Sequence, residues 1–135
     1  MRDATLPLCD ALVTALRAAS AVTALVSQRT YDRAPQSVTL PYISLGPTQA
    51  LPFGRADHHG CDVFVQIDIW SRGKGTVEAK QIAAAVIAAL DMTTLTVAGY
   101  SLRSLRATLG QTMTDPDGLT THAMVNIHAV LHPTS

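Results

Sequence analysis

Hydrophobic and polar residues alternate along residues 63–70 with the two-residue period of a β-strand. Further strands are predicted over Leu102–Met113 and Thr120–Leu131, which flank Asp115-Pro116-Asp117-Gly118. Proline at the second position and glycine at the fourth make this tetrapeptide a strong turn signal. The pattern therefore predicts three strands, two of them joined by a tight turn.

These strands are predicted to share one apolar face and one mixed face, because alternate side chains point to opposite sides of a sheet. The predicted core face comprises Val63, Val65, Ile67, Ile69, Leu105, Ala107, Leu109, Ala123, Val125, Ile127, Ala129 and Leu131. The opposite face comprises Phe64, Gln66, Asp68, Trp70, Arg106, Thr108, His122, Met124, Asn126 and His128. The second face is too polar to form a core, and it carries more aromatic side chains than is usual for a surface that binds no partner.

A helical period of apolar residues predicts three helices in addition to the strands. The first spans Leu6–Ala19, and the second spans Ala21–Val26 with Ser20 as its cap. The third spans Thr76–Leu90, with Glu78 placed to serve the open N–H groups of its first turn.

The third helix carries no charged residue from Gln81 to Leu90. A helix that is apolar nearly all round is usually covered on more than one side, which in a short chain indicates a partner subunit. Ala84 and Ala88 lie away from the stripe of larger apolar residues and leave a smooth side for close approach.

Between the second helix and the alternating strands, the pattern predicts an extended stretch over Arg29–Pro35 and a strand over Tyr42–Leu45. Gly46-Pro47 is expected to interrupt that strand. Residues 46–60 then read as a long exposed loop or a protruding hairpin, a kind of segment that is often functional. Its candidate partner-contacting residues are Phe53, Arg55, Asp57, His58 and His59.

Together these elements predict an α+β fold: an antiparallel sheet of about four strands with helices packed on one face, forming a single domain over residues 1–135. No ~20-residue apolar segment of the kind that spans a bilayer is present, and the first residues open on an amphipathic helix. We therefore expect a soluble, intracellular protein without membrane contact.

Composition narrows the possible partners. Ten basic and ten acidic residues cancel, and only 15% of the chain is charged whereas 47% is hydrophobic. Tight nucleic-acid binding depends on clustered cations that neutralise phosphates, so the balance argues against it. A surface poor in charge is prone to association and is more easily tolerated inside an assembly.

Candidate chemistry is sparse. His58-His59-Gly60-Cys61-Asp62 resembles half of a metal site, but the second ligand pair is missing. Gly73-Lys74-Gly75-Thr76 lacks the spacing of a phosphate loop and reads as a turn. His128 and His132 on one strand face, with His122 further along and Asp68 opposite, could form a catalytic or pH-sensing cluster, although half-buried interface groups are the favoured interpretation. We predict no catalytic residue, no metal and no cofactor.

The chain as a whole resembles the tail-completion proteins, or tail terminators, of long-tailed bacteriophages and gene transfer agents. Each motif is weak alone, but together they follow the family's order along nearly the whole chain. The residues that carry the resemblance are Leu8–Leu16, Arg29-Thr30-Tyr31, Leu40–Gly46, Val65–Gly73, the helix from Glu78 to Leu90, Asp115–Gly118 and His122.

The resemblance implies a structural virion protein and no enzyme. Such proteins form a ring, usually hexameric, at the head-proximal end of the tail tube, where they stop polymerisation and provide the docking surface for head–tail connector proteins. The implied partners are further copies, the tail tube protein and a connector or stopper protein. DNA would pass through the channel without sequence-specific binding, and assembly would occur in the bacterial host cytoplasm.

Candidate contact residues for the subunits or partners of such a ring combine the mixed sheet face with the smooth side of the third helix. They are Phe64, Asp68, Trp70, Arg72, Ala84, Ala88, Arg106, Met124 and His128. Two alternatives stay open: another head–tail connector ring, such as a stopper or adaptor, and a small enzyme or ligand-binding module. The last would need a concave pocket with converging polar groups.

Overall fold

The computed structural model describes residues 4–52, 60–73 and 76–134. Three helices and five strands follow one another along the chain. They are α1 (Thr5–Ala18), α2 (Ser20–Val26), β1 (Thr30–Tyr31), β2 (Tyr42–Pro52), β3 (Cys61–Ser71), α3 (Val77–Leu90), β4 (Tyr100–Thr114) and β5 (Thr121–Pro133).

The strands form one sheet in the order β1-β2-β3-β5-β4, with β1 parallel to β2 and every other neighbouring pair antiparallel. The predicted α+β class and the helices on one face are confirmed. The strand count and the purely antiparallel arrangement are wrong, because Thr30 and Tyr31 pair with Ile43 and Ser44 as a short parallel edge. A two-residue strand has no alternation that a sequence pattern could reveal.

The core lies between the sheet and the three helices. Leu8, Leu12 and Leu16 of α1 and Ile82 and Val86 of α3 are fully buried against the apolar sheet face. Every strand residue predicted for the core is buried except Leu109, whose exposed fraction is 56%. Leu109 lies in the edge strand β4, at the position where its register against β5 shifts.

Three further local predictions are corrected. Ser20 begins α2 instead of capping it, and the N-cap is Ala19. The carboxylate of Glu78 accepts a hydrogen bond from Ser71 Oγ at 2.5 Å, which ties the start of α3 to the end of β3. Gly46 and Pro47 do not end β2, because the strand absorbs them at a register shift and continues to Pro52.

The predicted turn between β4 and β5 is confirmed. Gly118 N donates to Asp115 O at 2.9 Å, and the Asp117 carboxylate accepts hydrogen bonds from the backbone of Leu119 and Thr120. These bonds lower the pKa of Asp117. The predicted partner-contacting residues Phe53, Arg55, Asp57, His58 and His59 lie outside the described residues.

Among the described residues no single helix is long and apolar enough to cross a membrane. α1 and α2 together meet these criteria of length and composition, but the two helices are bent by 81° at the break between them.

The residues that follow α3 cover part of the outer edge of β4. Asp91 accepts hydrogen bonds from Ala107 N and from Arg106 Nε, both at 2.9 Å, and Met92 N donates to Leu105 O. The Ala107 N–H and then the Arg106 guanidinium lower the pKa of Asp91. The middle of an otherwise open edge strand is thus closed by the chain itself.

We predict that Asp91→Asn lowers the free energy of unfolding at pH 7, since asparagine keeps an acceptor oxygen but loses the charge. A carboxyl whose pKa is lowered by folding stabilises the protein above its unfolded pKa of about 4 and loses that contribution as pH falls through the folded value. The difference between wild type and variant should therefore shrink below about pH 4. Urea unfolding at pH 7 and pH 3 measures it.

The same change at the exposed Asp32 is the matched control. An Asp91→Asn difference that is unchanged between the two pH values would contradict the assignment.

Candidate interaction surface

The face of the sheet opposite the helices, here named the uncovered face, is organised by the register of β3 against β5. Phe64 lies directly opposite His128, and Trp70 lies directly opposite His122. Directly opposed side chains in an antiparallel pair are about 4.5–5.5 Å apart, which lets flat rings stack across the strands. The Phe64 and His128 rings stack at 4.5 Å, and those of Trp70 and His122 at 3.9 Å.

Each histidine also binds a carboxylate of β3. His122 Nε2 is 2.7 Å from Asp68 Oδ1, and His128 Nε2 is 2.7 Å from Asp62 Oδ1. In both cases the aspartate precedes the stacked aromatic residue by two positions. The uncovered face therefore carries the same aspartate–aromatic–histidine unit twice, six residues apart along both strands.

The unit at Asp68 is the more enclosed of the two. The side chains of His122 and Asp68 are 12% and 10% exposed, against 43% and 33% for His128 and Asp62. Asp68 Oδ1 also accepts a hydrogen bond from Gln66 Nε2 at 2.7 Å. A buried carboxylate is stable only when hydrogen bonds satisfy it, so these two donors explain how Asp68 is tolerated there.

The bulge in β2 makes room for this carboxylate. A Cβ atom at Gly46 would collide with Asp68 Oδ2. Glycine therefore allows the close approach of Asp68 at the position where β2 shifts register against β3. Gly46 and Pro47, which were predicted to interrupt the strand, thus contribute to the shape of the uncovered face.

An aromatic row extends from this unit toward β1. The Tyr42 and Trp70 rings stack at 6.2 Å, and Tyr31 lies 6.4 Å from Tyr42. Trp70 Nε1 donates to Ser44 Oγ at 3.1 Å. Burial and then the charge of Asp68 raise the pKa of Tyr42.

The predicted contact residues separate into three places. Phe64, Asp68, Trp70, Met124 and His128 lie together on the uncovered face, and Arg106 lies on the same face in β4. Arg72 lies beyond β3 and contacts Thr120 and Asp117 of the β4–β5 turn. Ala84 and Ala88 are exposed on α3, in the layer behind the sheet, so the structure does not bring them to the other residues.

Of the residues considered for a catalytic or pH-sensing cluster, three are divided between the two units, and His132 lies outside both, opposite Ser101 of β4. Asp68 binds His122, whereas His128 binds Asp62 instead. A depression of about 290 Å³ on this face is lined by Phe64, Gln66 and Asn126 and includes neither histidine. Within the described residues no group of three or more His, Cys, Asp or Glu side chains is arranged to hold a metal ion. The arrangement suits contact with another macromolecule better than catalysis.

Sequence reasoning missed Tyr42 and Gly46 as parts of this surface, and it considered Asp62 only as a partner for a neighbouring cation and not for His128. Asp62 and Phe64 repeat as Asp68 and Trp70 six residues later, and the spacing between the two histidines is also six. That common spacing was the available signal. Gly46 offered none, because its role depends on which residue of the next strand lies opposite.

A family model described as "Tail completion protein gp17" matches residues 10–132, so the chain belongs to the gp17 tail-completion family. The tail completion protein gp17 of Bacillus phage SPP1 is 26% identical over 92 residues, which is 68% of each chain.

Two solved structures share the fold. A chain from the virion of a native gene transfer agent particle has a TM-score of 0.89 at 23% identity, with 98% of this chain and 99% of that chain covered. The structure of SPP1 gp17 has a TM-score of 0.60 at 22% identity, with 96% and 95% covered. The similarity extends over the entire α+β domain in both cases.

We predict that Gly46→Ala destabilises the domain by about 1–3 kcal/mol, the usual cost of forcing extra atoms into a packed site. Removing the colliding carboxylate with Asp68→Ala should reduce this cost, so the two changes should be strongly non-additive. Urea unfolding of the two single variants and the double variant measures the coupling. Additive effects would contradict the close contact between Gly46 and Asp68.

Proposed function

We propose that the chain forms a ring of six copies at the head-proximal end of a phage-like tail tube. The ring ends polymerisation of the tube subunit and provides the surface on which the head–tail connector proteins dock. The observation that carries the proposal is the match to the tail-completion family along residues 10–132. Assembly takes place in the bacterial host cytoplasm, and the finished ring is part of the virion.

The uncovered face supports this role. It presents aromatic and methionine side chains, which are enriched in the cores of interfaces, beside carboxylate–histidine pairs. Phe64 is 39% exposed on a face that no described helix covers. Contact with a neighbouring subunit or with a partner ring would bury these groups.

The charge balance supports a passage for DNA that does not grip it. A formal net charge of zero provides little of the phosphate neutralisation on which sequence-independent DNA affinity depends. DNA would therefore pass through the ring without sequence-specific contacts. The proposal needs no cofactor and no catalytic residue.

The first test is electron microscopy of particles produced without this gene. Headless tubes of uncontrolled length are the expected result, since nothing would then end tube growth. Tails of normal length that fail to join heads would instead favour the alternative, a stopper or adaptor ring. Intact particles would contradict both.

A second prediction concerns the exposed side of α3, where Ala84 and Ala88 leave room for close approach by another subunit. Ala84→Glu or Ala88→Glu should abolish tail completion because each places a charge in the contact. Neither should change the free energy of unfolding of the isolated chain by more than about 0.5 kcal/mol, as is usual for exposed positions.

Ala21→Glu, at an exposed alanine of α2, is the matched control and should leave assembly intact. Normal tails with either α3 variant would show that this side of the helix is not a contact.

A further inference from the structure

Two strands near the edges of the sheet, β2 and β4, each contain a long segment without charged residues. No Asp, Glu, Lys or Arg occurs in β2 from Tyr42 to Pro52, or in β4 from Ala107 to Thr114. Natural proteins usually protect open edge strands with charges, prolines, bulges or covering segments, because exposed N–H and C=O groups pair with other strands. Charge is the protection that both segments lack, whereas Pro47, Pro52 and the register shifts at Leu45/Thr48 and Leu109/Thr112 limit where another strand can pair.

The open part of β4 is confined to its C-terminal half. Asp91 and Met92 occupy the outer edge at Ala107 and Leu105. Across residues 4–52, 60–73 and 76–134, no strand pairs with the outer side of residues 109–114. Leu109 and Met113 in this segment are 56% and 42% exposed.

The open part of β2 is confined in the same way. β1 covers β2 only at Ile43 and Ser44, and in the described part of the chain no other strand lies outside β2. Residues 48–51 are all exposed. Pro47 and Pro52 bound this segment, and because proline cannot donate a hydrogen bond they limit its length to four residues.

We propose that residues 109–114 of β4 pair antiparallel with residues 48–51 of β2 in a second copy of this chain, so that one sheet continues from subunit to subunit. The inference rests on the proposed ring and specifies its subunit contact. The two open segments lie on opposite edges of the same sheet, so each copy uses a different edge toward each neighbour. Such a head-to-tail contact repeats with one rotation and can close into a ring.

Antiparallel pairing follows from the strand directions. β2 and β5 run one way, and β3 and β4 run the other way. A neighbour related by rotation about a ring axis keeps these directions, so its β2 meets β4 in the antiparallel sense. This is the more stable of the two ladder geometries per residue.

The contact is also staggered. Through the cross-strand partners of β3 and β5, Thr48 is level with Ala107, and Leu51 is level with Ser104. Bringing residues 48–51 beside residues 109–114 shifts the neighbour by about six residues, or ~20 Å at 3.4 Å per residue. Strands inclined to the axis produce such a stagger in every closed sheet.

The stagger brings complementary charges together in the helical layer. α1 packs on β1 and β2, and α3 packs on β3, β5 and β4, so the contact places α3 of one copy beside α1 of the next. The last turn of α1 and the first turn of α3 lie at the same end of the sheet, where β2 begins. Arg17 at the end of α1 donates a hydrogen bond to Thr30 O, and Glu78 at the start of α3 accepts one from Ser71. The shift therefore carries the first turns of the neighbour's α1, with exposed Asp10, toward Lys80 of α3.

Cross-linking of purified particles tests the contact. In the double variant Gln49→Cys/Gln111→Cys, oxidation should give a ladder of covalent multimers that extends to the ring size, because each contact brings residue 49 of one copy near residue 111 of the next. Each single variant should give no dimer. The two natural cysteines are buried, and the unmodified chain provides the baseline.

Charge substitutions give a second measurement that does not require disulfide geometry. Gln49→Lys alone should greatly reduce the number of particles with completed tails, as edge lysines do to strand pairing. Adding Gln111→Glu should restore that number, since every head-to-tail contact then joins opposite charges. Gln36→Lys, the same change at an exposed position outside the strands, is the control and should have no effect.

Dimers from a single cysteine variant would overturn the proposal in favour of a two-fold contact. It would also be overturned if the double cysteine variant gave no ladder and Gln49→Lys behaved like Gln36→Lys. Either result would leave the proposed function intact, provided that particles lacking the gene still have tails of uncontrolled length. Intact particles without the gene would remove the proposed function and this inference together.

Discussion

The pairing of β3 with β5 is the constraint on which the rest of the structure depends. Its register places the apolar side chains of both central strands under the helices, where Ile67 and Val125 are fully buried. The same register brings Trp70 over His122 and Phe64 over His128 on the other side. A shift by one residue would exchange the two faces, so the core and the uncovered face are determined together.

The uncovered face is stabilised by contacts that differ from those of the core. Stacked aromatic pairs contribute about 0.5–1.5 kcal/mol beyond the area they bury, and each histidine satisfies a carboxylate that would otherwise be costly to enclose. The enclosed Asp68 depends in turn on the glycine of the β2 bulge. This dependence gives the face a defined shape before any partner binds, which lowers the ordering cost of association.

The edges of the sheet are closed over part of their length and open over the rest. Asp91 and Met92 close the middle of β4, and β1 closes the start of β2, while in the described part of the chain no strand covers the uncharged residues 48–51 and 109–114. Short open segments limit unwanted pairing with other strands. Family membership identifies the chain as a tail-completion protein, and the open edges are the basis of the proposed contact between copies.

The elements themselves could be read from the sequence. Periods of two and of 3.6 residues located α1, α3, β3, β4 and β5 to within a few residues, and the Asp115–Gly118 turn was recognised from its residue types. The division of side chains between the two faces followed from the same alternation, because burial in a strand is a local property of the pattern. The family, too, was recognisable from the order of motifs along the chain.

Only the tertiary structure decided which strands are neighbours and in what register. The partner of His128 is Asp62 and not Asp68, Gly46 serves a carboxylate 22 positions further along, and Leu109 lies outside the core. Strand β1 and the parallel pairing were also unpredictable, because two residues carry no period. Each of these outcomes depends on a contact between segments distant in sequence, whereas a sequence pattern records only the relations between neighbouring residues.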